Sequence, residues 1–336
     1  MLSGRRKAQA EEARLGVVGR LRDVVRNWGI LFALILLAAV VALSTDAFLT
    51  RQNILNILRQ VSVVGIIACG MTLVIISGTV DLSVGSIVSF ASVVAVSQIL
   101  ATKSLLIGIG LGLVVGIAVG ALNGYLISLV RGKIGISFIV TYGMLTVVVN
   151  AALLWTKGKT INWEYLGYTN PIYTFIGKGS LWIIPFPVIL FLVAALVSQF
   201  LLTQTTFGRV LQHMGYNVEG TRLSGIKVGR YRVLVHAYVG LLSAIAAIIL
   251  TARVTAAYPL GGAGYEFDSI TAVIVGGTSL QGGRGSVVKT VIGVLLIGVI
   301  LNAMIMLRIN QFFQQTVKGA IILIAVVIDL VTRKEK

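Results

Sequence analysis

The sequence predicts an all-α polytopic membrane protein with about ten transmembrane helices. Of its 336 residues, 57% are hydrophobic and only 12% are charged, and its mean hydropathy is +0.97. Ordinary soluble domains contain about 25% charged residues. The charges occur in clusters separated by apolar stretches of roughly 20 residues, the length that crosses ~30 Å of hydrocarbon as a helix. Basic residues flank these stretches, as is typical of membrane proteins.

Polar breaks divide the chain into ten predicted spans, of which the eighth is short enough to be broken or re-entrant. They cover residues 28–46, 60–78, 83–101, 105–130, 134–156, 181–201, 233–256, 269–281, 286–307 and 311–331. With the N-terminus inside, cytoplasmic stretches hold 19 of the 28 basic residues and external stretches hold 8, which agrees with the positive-inside bias. We therefore expect a basic cytoplasmic segment at 1–27, one transmembrane domain at 28–332, and both termini in the cytoplasm.

Composition and spacing also exclude several kinds of function. The net charge of +17 would suit nucleic acid, but the basic residues flank apolar spans, so we expect no nucleic-acid partner. The single cysteine, Cys69, rules out an intrachain disulfide. His213 and His236 have no cysteine or carboxylate cluster at metal-ligand spacing, and the segment 158–160 lacks the first glycine of a P-loop. We expect no catalytic site, metal or cofactor in this chain.

Asp81 lies in a polar, glycine-rich break, residues 76–86, between two apolar spans. Irregular backbone at membrane depth is tolerated only where it is buried in protein or lines a cavity, and an ionisable group there indicates function. Alternatively, Asp81 or Ser83 caps the third span by accepting hydrogen bonds from its first free N–H groups. Both interpretations stay open at this stage.

Glycines mark further features. Those at 108, 112, 116, 120 and 124 form an i, i+4 row in the fourth span, which predicts close helix packing more than a ligand-lining face. Glycine-rich segments at 261–268 and 276–285 flank the eighth span, which suits either a broken helix that moves or meets substrate or a tight-turn connector. The segments 78–88 and 277–288 resemble each other, either through an internal repeat or by chance.

Two long hydrophilic segments interrupt the spans. The internal one, 202–232, is basic and predicts short helices broken at glycines 208, 215, 220, 225 and 229; it is either a docking surface for a cytoplasmic partner or a solvated connector. The external one, 157–180, is rich in aromatic residues, which favour the membrane interface. The aromatic residues in and around this segment are Trp155, Trp163, Tyr165, Tyr168, Tyr173 and Trp182.

Three segments together resemble the permeases of ribose/xylose-type ABC importers. The first matching stretch is Phe207-Gly208-Arg209, followed by Gly215, Asn217 and Leu223-Ser224-Gly225-Ile226, which resembles the cytoplasmic loop of that family. The run 276–285 resembles its second signature and 77–85 its first. Order and spacing hold over residues 50–332, and the form Asp-Leu-Ser-Val-Gly at 81–85 is more similar to the sugar branch than to the branched-chain amino-acid branch.

This resemblance implies a type II, vitamin-B12-importer-like fold in the bacterial cytoplasmic (inner) membrane. It also implies a second permease copy, two cytoplasmic ATPase subunits that bind ATP and Mg, an extracytoplasmic sugar-binding protein, and a pentose, hexose or related polyol as the substrate. By position, the ATPase coupling residues would be Phe207, Gly208, Arg209, Gly215, Asn217, Arg222, Ser224, Gly225 and Ile226.

The candidate substrate pathway follows from the need of polar groups in apolar spans for polar partners. Its members are Thr79, Asp81, Ser83, Asn123, Thr278 and Gln281. An ion-coupled secondary transporter or channel is the alternative function, and it would need intramembrane carboxylates. These are scarce, because only Asp81 and Asp329 qualify.

Overall fold

The structure, a computed structural model, describes residues 29–130 and 134–334, apart from the side chains at 311, 325 and 328–334. The basic segment 1–27 and the side chain of Asp329 therefore lie outside the described residues. The helices are α1 (Gly29–Ser44), α2 (Arg51–Ile76), α3 (Val84–Thr102), α4 (Leu105–Leu129), α5 (Ile134–Thr156), α6 (Pro171–Lys178), α7 (Phe186–Gln204), α8 (Thr206–Tyr216), α9 (Val218–Leu223), α10 (Val228–Val254), α11 (Tyr265–Val275), α12 (Val287–Met306) and α13 (Gln311–Lys334).

Four two-residue strands complete the described secondary structure. They are β1 (Ile161–Asn162), β2 (Ser180–Leu181), β3 (Ile184–Pro185) and β4 (Ala256–Ala257). The strand β1 pairs antiparallel with β4, and β2 pairs antiparallel with β3. Both pairs lie at the end of the bundle opposite α8 and α9, where the β1–β4 pair joins the 157–185 segment to the end of α10 and the β2–β3 pair forms a hairpin just before α7.

Among the described residues, seven helices are long and apolar enough to cross a membrane: α2, α3, α4, α5, α7, α10 and α12. This confirms a helical, multi-pass membrane protein. The spans α2, α3 and α10 are mostly buried, whereas α4, α5 and α7 leave most of their apolar surface exposed. An exposed apolar surface of this extent is suited to contact with lipid.

The glycine row of α4 is a packing face, as the sequence predicts. The buried residues of α4 are its five row glycines together with Asn123 and Ile127. A Cβ on Gly120 would collide with the carbonyl of His236, and one on Gly116 with the carbonyl of Gly240. Backbone-to-backbone approach of α4 and α10 is therefore possible only because these positions lack side chains.

Several predicted span boundaries differ from the structure, and those of the second and eighth spans differ most. The second span was expected at 60–78, but α2 begins at Arg51, because the side chain of Thr50 accepts a hydrogen bond from the N–H of Asn53 and caps the helix. Arg59 is therefore helical and not part of an external loop. The eighth span was expected at 269–281, but α11 spans only Tyr265–Val275, about 16 Å at 1.5 Å per residue.

The internal segment 202–232 contains two helices, but most of its glycines do not break them. Those at 208 and 215 lie inside α8, the one at 220 inside α9, and the one at 229 inside α10. Only Gly225, with φ +83°, lies in a break, which follows α9. The other break is at Asn217, whose side chain accepts a hydrogen bond from the N–H of Gly220 and so starts α9.

Half of the aromatic residues expected at the membrane interface are buried instead. Trp163, Tyr168 and Tyr173 pack together in a hydrophobic cluster with the end of α10. The Tyr173 hydroxyl lies 2.5 Å from the Thr251 hydroxyl, and its burial raises the pKa of Tyr173. These rings fix the 157–180 segment to the bundle. Trp182, in contrast, is 97% exposed.

Candidate functional site

The two signature segments have the same local structure. After α2, the N–H of Thr79 donates to the carbonyl of Val74 and that of Gly78 to Ile75; after α11, Thr278 donates to Val273 and Gly277 to Ile274. Both glycines have positive φ, 81° and 83°. These are two copies of the Schellman helix ending, which favours glycine at its left-handed position. The sequence similarity of 78–88 and 277–288 therefore corresponds to a structural similarity.

Both signature segments meet the end of α8 at a junction of glycines, which we define as Gly78, Gly215, Gly282 and Gly283. The N–H of Gly283 donates to the carbonyl of Ile76 at 2.8 Å. A Cβ on Gly282 would lie 2.9 Å from the Cα atoms of both Gly78 and Gly215, and one on Gly215 would collide with Ile76 and Gly283 backbone atoms. Three chain segments distant in sequence thus touch through backbone alone.

The side chains of Tyr216 and Arg284 contact each other on the exposed side of this junction. The Nε of Arg284 donates to the Tyr216 hydroxyl at 2.6 Å, and its guanidinium lies 5.5 Å from the centre of the Tyr216 ring. A Cβ on Gly283 would meet the same ring. The last residue of α8 is therefore held against the second signature segment by a hydrogen bond and by a cation–π contact.

Asp81, Ser83 and Asn123, which we call the Asp81 cluster, lie together and are fully buried. The Asp81 carboxylate accepts hydrogen bonds from the Ser83 N–H (2.8 Å) and hydroxyl (2.7 Å). The Asn123 amide donates to Asp81 at 3.1 Å and to Ser83 at 2.7 Å. His236 of α10 interacts electrostatically with Asp81. This cluster joins the first signature segment to α4 and α10.

The sequence suggested that Asp81 or Ser83 caps α3 by accepting hydrogen bonds from its first free N–H groups, and this interpretation is wrong. Ser83 occupies the N-cap position of α3 but makes no capping hydrogen bond, and Asp81 bonds Ser83 itself instead of the first turn. The neighbouring backbone is bonded by α5: the N–H of Val80 donates to Ser137 and that of Leu82 to Thr141. The irregular segment is thus buried in protein, as membrane depth requires.

The other three predicted pathway residues lie in the signature segments, outside the helices. Thr79 is buried, and its hydroxyl bonds Ser77 and the carbonyl of Val74. Thr278 is buried behind Gly285, whereas Gln281 is exposed. The last two follow the end of α11, so the structure does not place them in a span.

The predicted coupling residues of α8 divide between two faces. Thr205 caps the helix by accepting from the N–H of Gly208, which is buried against the carbonyls at the end of α7. The Phe207 ring stacks on Tyr231 of α10, with the ring centres 5.9 Å apart. Arg209 points outward and is exposed. α8 therefore rests on the bundle and offers a basic outer face.

The residues of α9 and the turn after it are more exposed. Arg222 pairs with Glu219 at 2.6 Å within the helix. Ser224 donates to the carbonyl of Gly220 at 3.0 Å, and Ser224 and Gly225 are exposed, while Ile226 is half-buried. Leu223 is 82% exposed. An exposed leucine beside basic side chains is suited to protein contact.

A different set of residues, which sequence reasoning missed, forms what we call the polar cavity, at the end of the bundle away from the junction. It has a volume of about 130 Å³. Its polar lining consists of Gln60, Arg253, Tyr265, Asp268 and Lys318. Lys318 Nζ lies 3.0 Å from each carboxylate oxygen of Asp268. The sequence signal was the lysine within the tenth span, because an ionisable residue there marks a functional position.

The cavity adjoins a wider cleft. This cleft has a volume of about 400 Å³ and is lined by Asn56, Arg59, Gln60, Lys178 and Arg253. Gln60 and Arg253 line both spaces. The polar cavity is thus reached from the end of the bundle that lies opposite α8 and α9. Among the described residues, no group of three or more histidine, cysteine or acidic side chains could hold a metal ion.

Comparison with known proteins identifies relatives over nearly the whole chain. Residues 53–326 match the family model described as the permease component of the branched-chain amino acid transport system. The ribose import permease RbsC of Bacillus subtilis is 41% identical over 96% of this chain and 97% of its own length. RbsC of Escherichia coli K12 is 37% identical over 89% of this chain and 92% of its own.

An arabinose permease is also similar. The L-arabinose ABC transporter permease AraH of Azospirillum brasilense is 35% identical over 95% of this chain and 91% of its own length. No solved structure matches the chain. With a family match over most of its residues and several relatives above 30% identity, the chain belongs to the branched-chain amino acid transport system permease family, among whose members it is similar to the ribose and arabinose import permeases.

Proposed function

We propose that the chain is the membrane-spanning permease subunit of an ATP-binding-cassette importer that brings a sugar into the cytoplasm. Two relatives named for ribose and arabinose make a pentose the first substrate to test. Its family is described as a permease component, and in this proposal the chain carries the sugar across the membrane while a partner hydrolyses ATP. ATP and Mg would be bound by two partner ATPase subunits, and a second permease copy and an extracytoplasmic sugar-binding protein would complete the transporter.

The observation that carries this proposal is the junction. It brings α8 into direct backbone contact with both signature segments. A push on α8 therefore reaches α2 and α3 through Gly78, and α11 and α12 through Gly282. A solvated connector would need no such contact. The exposed basic and apolar side chains of α8 and α9, including Arg209 and Leu223, supply the surface on which an ATPase would dock.

The mechanism follows from this linkage. Closure of the ATPase subunits on ATP would displace α8 and α9, and the junction would transmit the displacement to the signature segments. The short helix α11 is attached at both ends to glycines with positive φ, Gly264 and Gly277, which suit hinges. Its motion would open one end of the path as the other closes.

Orientation and pathway complete the proposal. The positive-inside bias places α8, α9 and both termini in the cytoplasm, and ten spans in the inner membrane are consistent with that arrangement.

The predicted pathway residues near the junction would belong to the cytoplasmic gate. These residues are Thr79, Asp81, Ser83, Asn123, Thr278 and Gln281. Their packing suggests that they hold the gate together and meet the sugar only when it opens.

The docking assignment is tested by reversing one charge. Arg209→Glu places a carboxylate on the exposed face of α8, so we expect loss of ATPase co-purification with normal membrane insertion. Lys159→Glu, the same charge reversal at the opposite end, is the control and should keep the ATPase. Unchanged association of the Arg209 variant would contradict the docking surface.

The energy source separates this function from an ion-coupled transporter. Reconstituted with its ATPase and binding protein, the chain should accumulate D-ribose or L-arabinose only when ATP is supplied. Uptake that persists without ATP and collapses with an ionophore would instead support a secondary transporter.

A further inference from the structure

Three side chains of the polar cavity have polar groups without partners. The Gln60 amide, the Arg253 guanidinium and the Tyr265 hydroxyl make no hydrogen bond within the described part of the chain, although all three line the cavity. A guanidinium alone has five N–H donors. Arg253 and Tyr265 are half-buried, whereas Gln60 is exposed, and a polar group costs free energy only to the extent that it is withdrawn from water without a hydrogen bond. The cavity therefore presents several polar groups that water or a ligand must satisfy.

At the base of the cavity, in contrast, the polar groups are already bonded to each other, and the carboxylate there is an acceptor. Asp268 of α11 is 8% exposed and accepts from Lys318 of α13. An ionised carboxylate has about four acceptor sites, so it can accept from a ligand while it remains bonded to Lys318. The two charges balance each other, and the lining then carries one net positive charge, that of Arg253. Donors at the mouth and an acceptor at the base match a solute that both donates and accepts.

The walls and the volume narrow the class of solute. Val61, Val64, Ile297 and Leu301 supply apolar surface beside these polar groups. At about 30 Å³ per water, 130 Å³ corresponds to roughly four water molecules, which is room for one small ring. A monosaccharide combines hydroxyl groups that donate and accept with C–H surfaces that pack on aliphatic side chains. A fully apolar solute would leave Arg253 and Gln60 unbonded.

The position of the cavity connects it to both ends of the molecule. Its mouth opens into the cleft lined by Asn56, Arg59 and Lys178, and one of its walls is α11, whose other end continues into the junction. Tyr265 and Asp268 lie one helical turn apart on the same face of α11. A motion of α11 that starts at the junction would therefore change the shape of this cavity.

We propose that the polar cavity is a binding subsite for a monosaccharide in transit, enclosed within a single permease chain. Gln60 and Arg253 bond the hydroxyl groups nearest the mouth, and Asp268, held by Lys318, accepts from those at the base. This proposal rests on the proposed function as a sugar importer, and it adds a place where this chain itself contacts the sugar.

Thiol labelling tests the subsite directly. The sole cysteine of the sequence, Cys69, is buried, so a charged methanethiosulfonate reagent should label an introduced Gln60→Cys selectively. In the permease–ATPase complex, D-ribose or L-arabinose at saturating concentration should slow this labelling at least about fivefold, as one hydrogen-bonded contact would, whereas glycerol should not. Asn56→Cys, which lines only the outer cleft, should label equally with and without sugar.

Transport kinetics supply the second measurement. Gln60→Ala should raise the KM for the sugar about fivefold and leave the maximal rate and thermal stability unchanged, because the amide bonds nothing in the folded chain. A complex that imports sugar while Gln60→Cys labels at the same rate with and without it, and while Gln60→Ala keeps its KM, would overturn the subsite alone. A wild-type complex that imports neither pentose under ATP would overturn the proposed function, and the subsite with it.

Discussion

The junction end of the bundle and the polar-cavity end hold their charged side chains in different ways, although the described part of the junction end also contains buried polar atoms without a hydrogen-bond partner, Asn123 Oδ1, His236 Nε2 and Thr278 Oγ1. At the junction end, the Asp81 carboxylate is enclosed and bonded by Ser83 and Asn123. At the other end, the Arg253 guanidinium faces an open space and bonds no described residue. Both regions contain charged side chains in or beside apolar helices, where such charges often indicate function.

This difference separates two roles that look alike in a sequence. A buried charge with its hydrogen bonds made within the chain mainly fixes the arrangement of its neighbours, whereas unbonded donors facing a cavity are available to a ligand. We therefore expect variants at the junction end to change stability first. Variants at the cavity should change sugar handling first.

The largest effect is expected at the junction itself. Gly215→Val would push a side chain into the backbone of Ile76 and Gly283, which cannot move as a flexible side chain can, so we expect a loss of about 3 kcal/mol or more and no transport. Thermal unfolding in detergent measures this loss. Gly135→Ala, where a Cβ would meet open space, is the control. A stable, active Gly215 variant would mean that the three segments do not meet tightly.

Asp81→Ala is expected to cost less, about 2 kcal/mol, because it leaves the Ser83 and Asn123 donors unbonded in a buried site. The melting temperature should fall, and the sugar KM of whatever protein still folds should stay unchanged. A variant as stable as the wild type that no longer transports would break the comparison, since Asp81 would then act on the sugar and not on the fold.

The ion pair of the polar cavity should show an intermediate effect. The side chains of Lys318 and Asp268 are 22% and 11% exposed, between an exposed pair and a fully buried one, so Lys318→Met should cost about 1–2 kcal/mol by leaving Asp268 unpaired. The double variant Asp268→Asn/Lys318→Met should lose less free energy of unfolding than the sum of the losses of the two single variants. Strict additivity would show that the pair contributes nothing.

The sequence predicted the membrane class and most spans because both depend on local composition. The predicted bounds of the fifth span, 134–156, are those of α5, and the short eighth span is a short helix. The start of α2 was missed because residues 51–60, which are rich in polar side chains and mostly exposed or half-buried, extend the helix beyond its apolar stretch from the cap at Thr50, and hydropathy alone marks such residues as a loop.

The sequence predicted the residues of the Asp81 cluster but not those of the polar cavity, because this prediction too depends on local context. Asp81, Ser83 and Asn123 come together as a set because each was selected as a polar residue in an apolar context. Gln60 and Arg253 were not selected, because they lie at the margins of spans, where polar side chains are ordinary. Only the packing of α2, α10, α11 and α13 directs these margins into one cavity, and long-range packing of this kind leaves no pattern in a single sequence.

The smallest and sharpest test deletes one hydroxyl group from each region. The Ser83 hydroxyl donates to Asp81 and accepts from Asn123, so Ser83→Ala should lower stability by about 1 kcal/mol. The Tyr265 hydroxyl bonds no described residue, so Tyr265→Phe should change stability by less than about 0.5 kcal/mol. Its effect should instead be on the sugar KM. Equal stability losses from the two deletions would mean that the cavity, like the Asp81 cluster, is internally bonded and has no unbonded hydroxyl to offer a sugar.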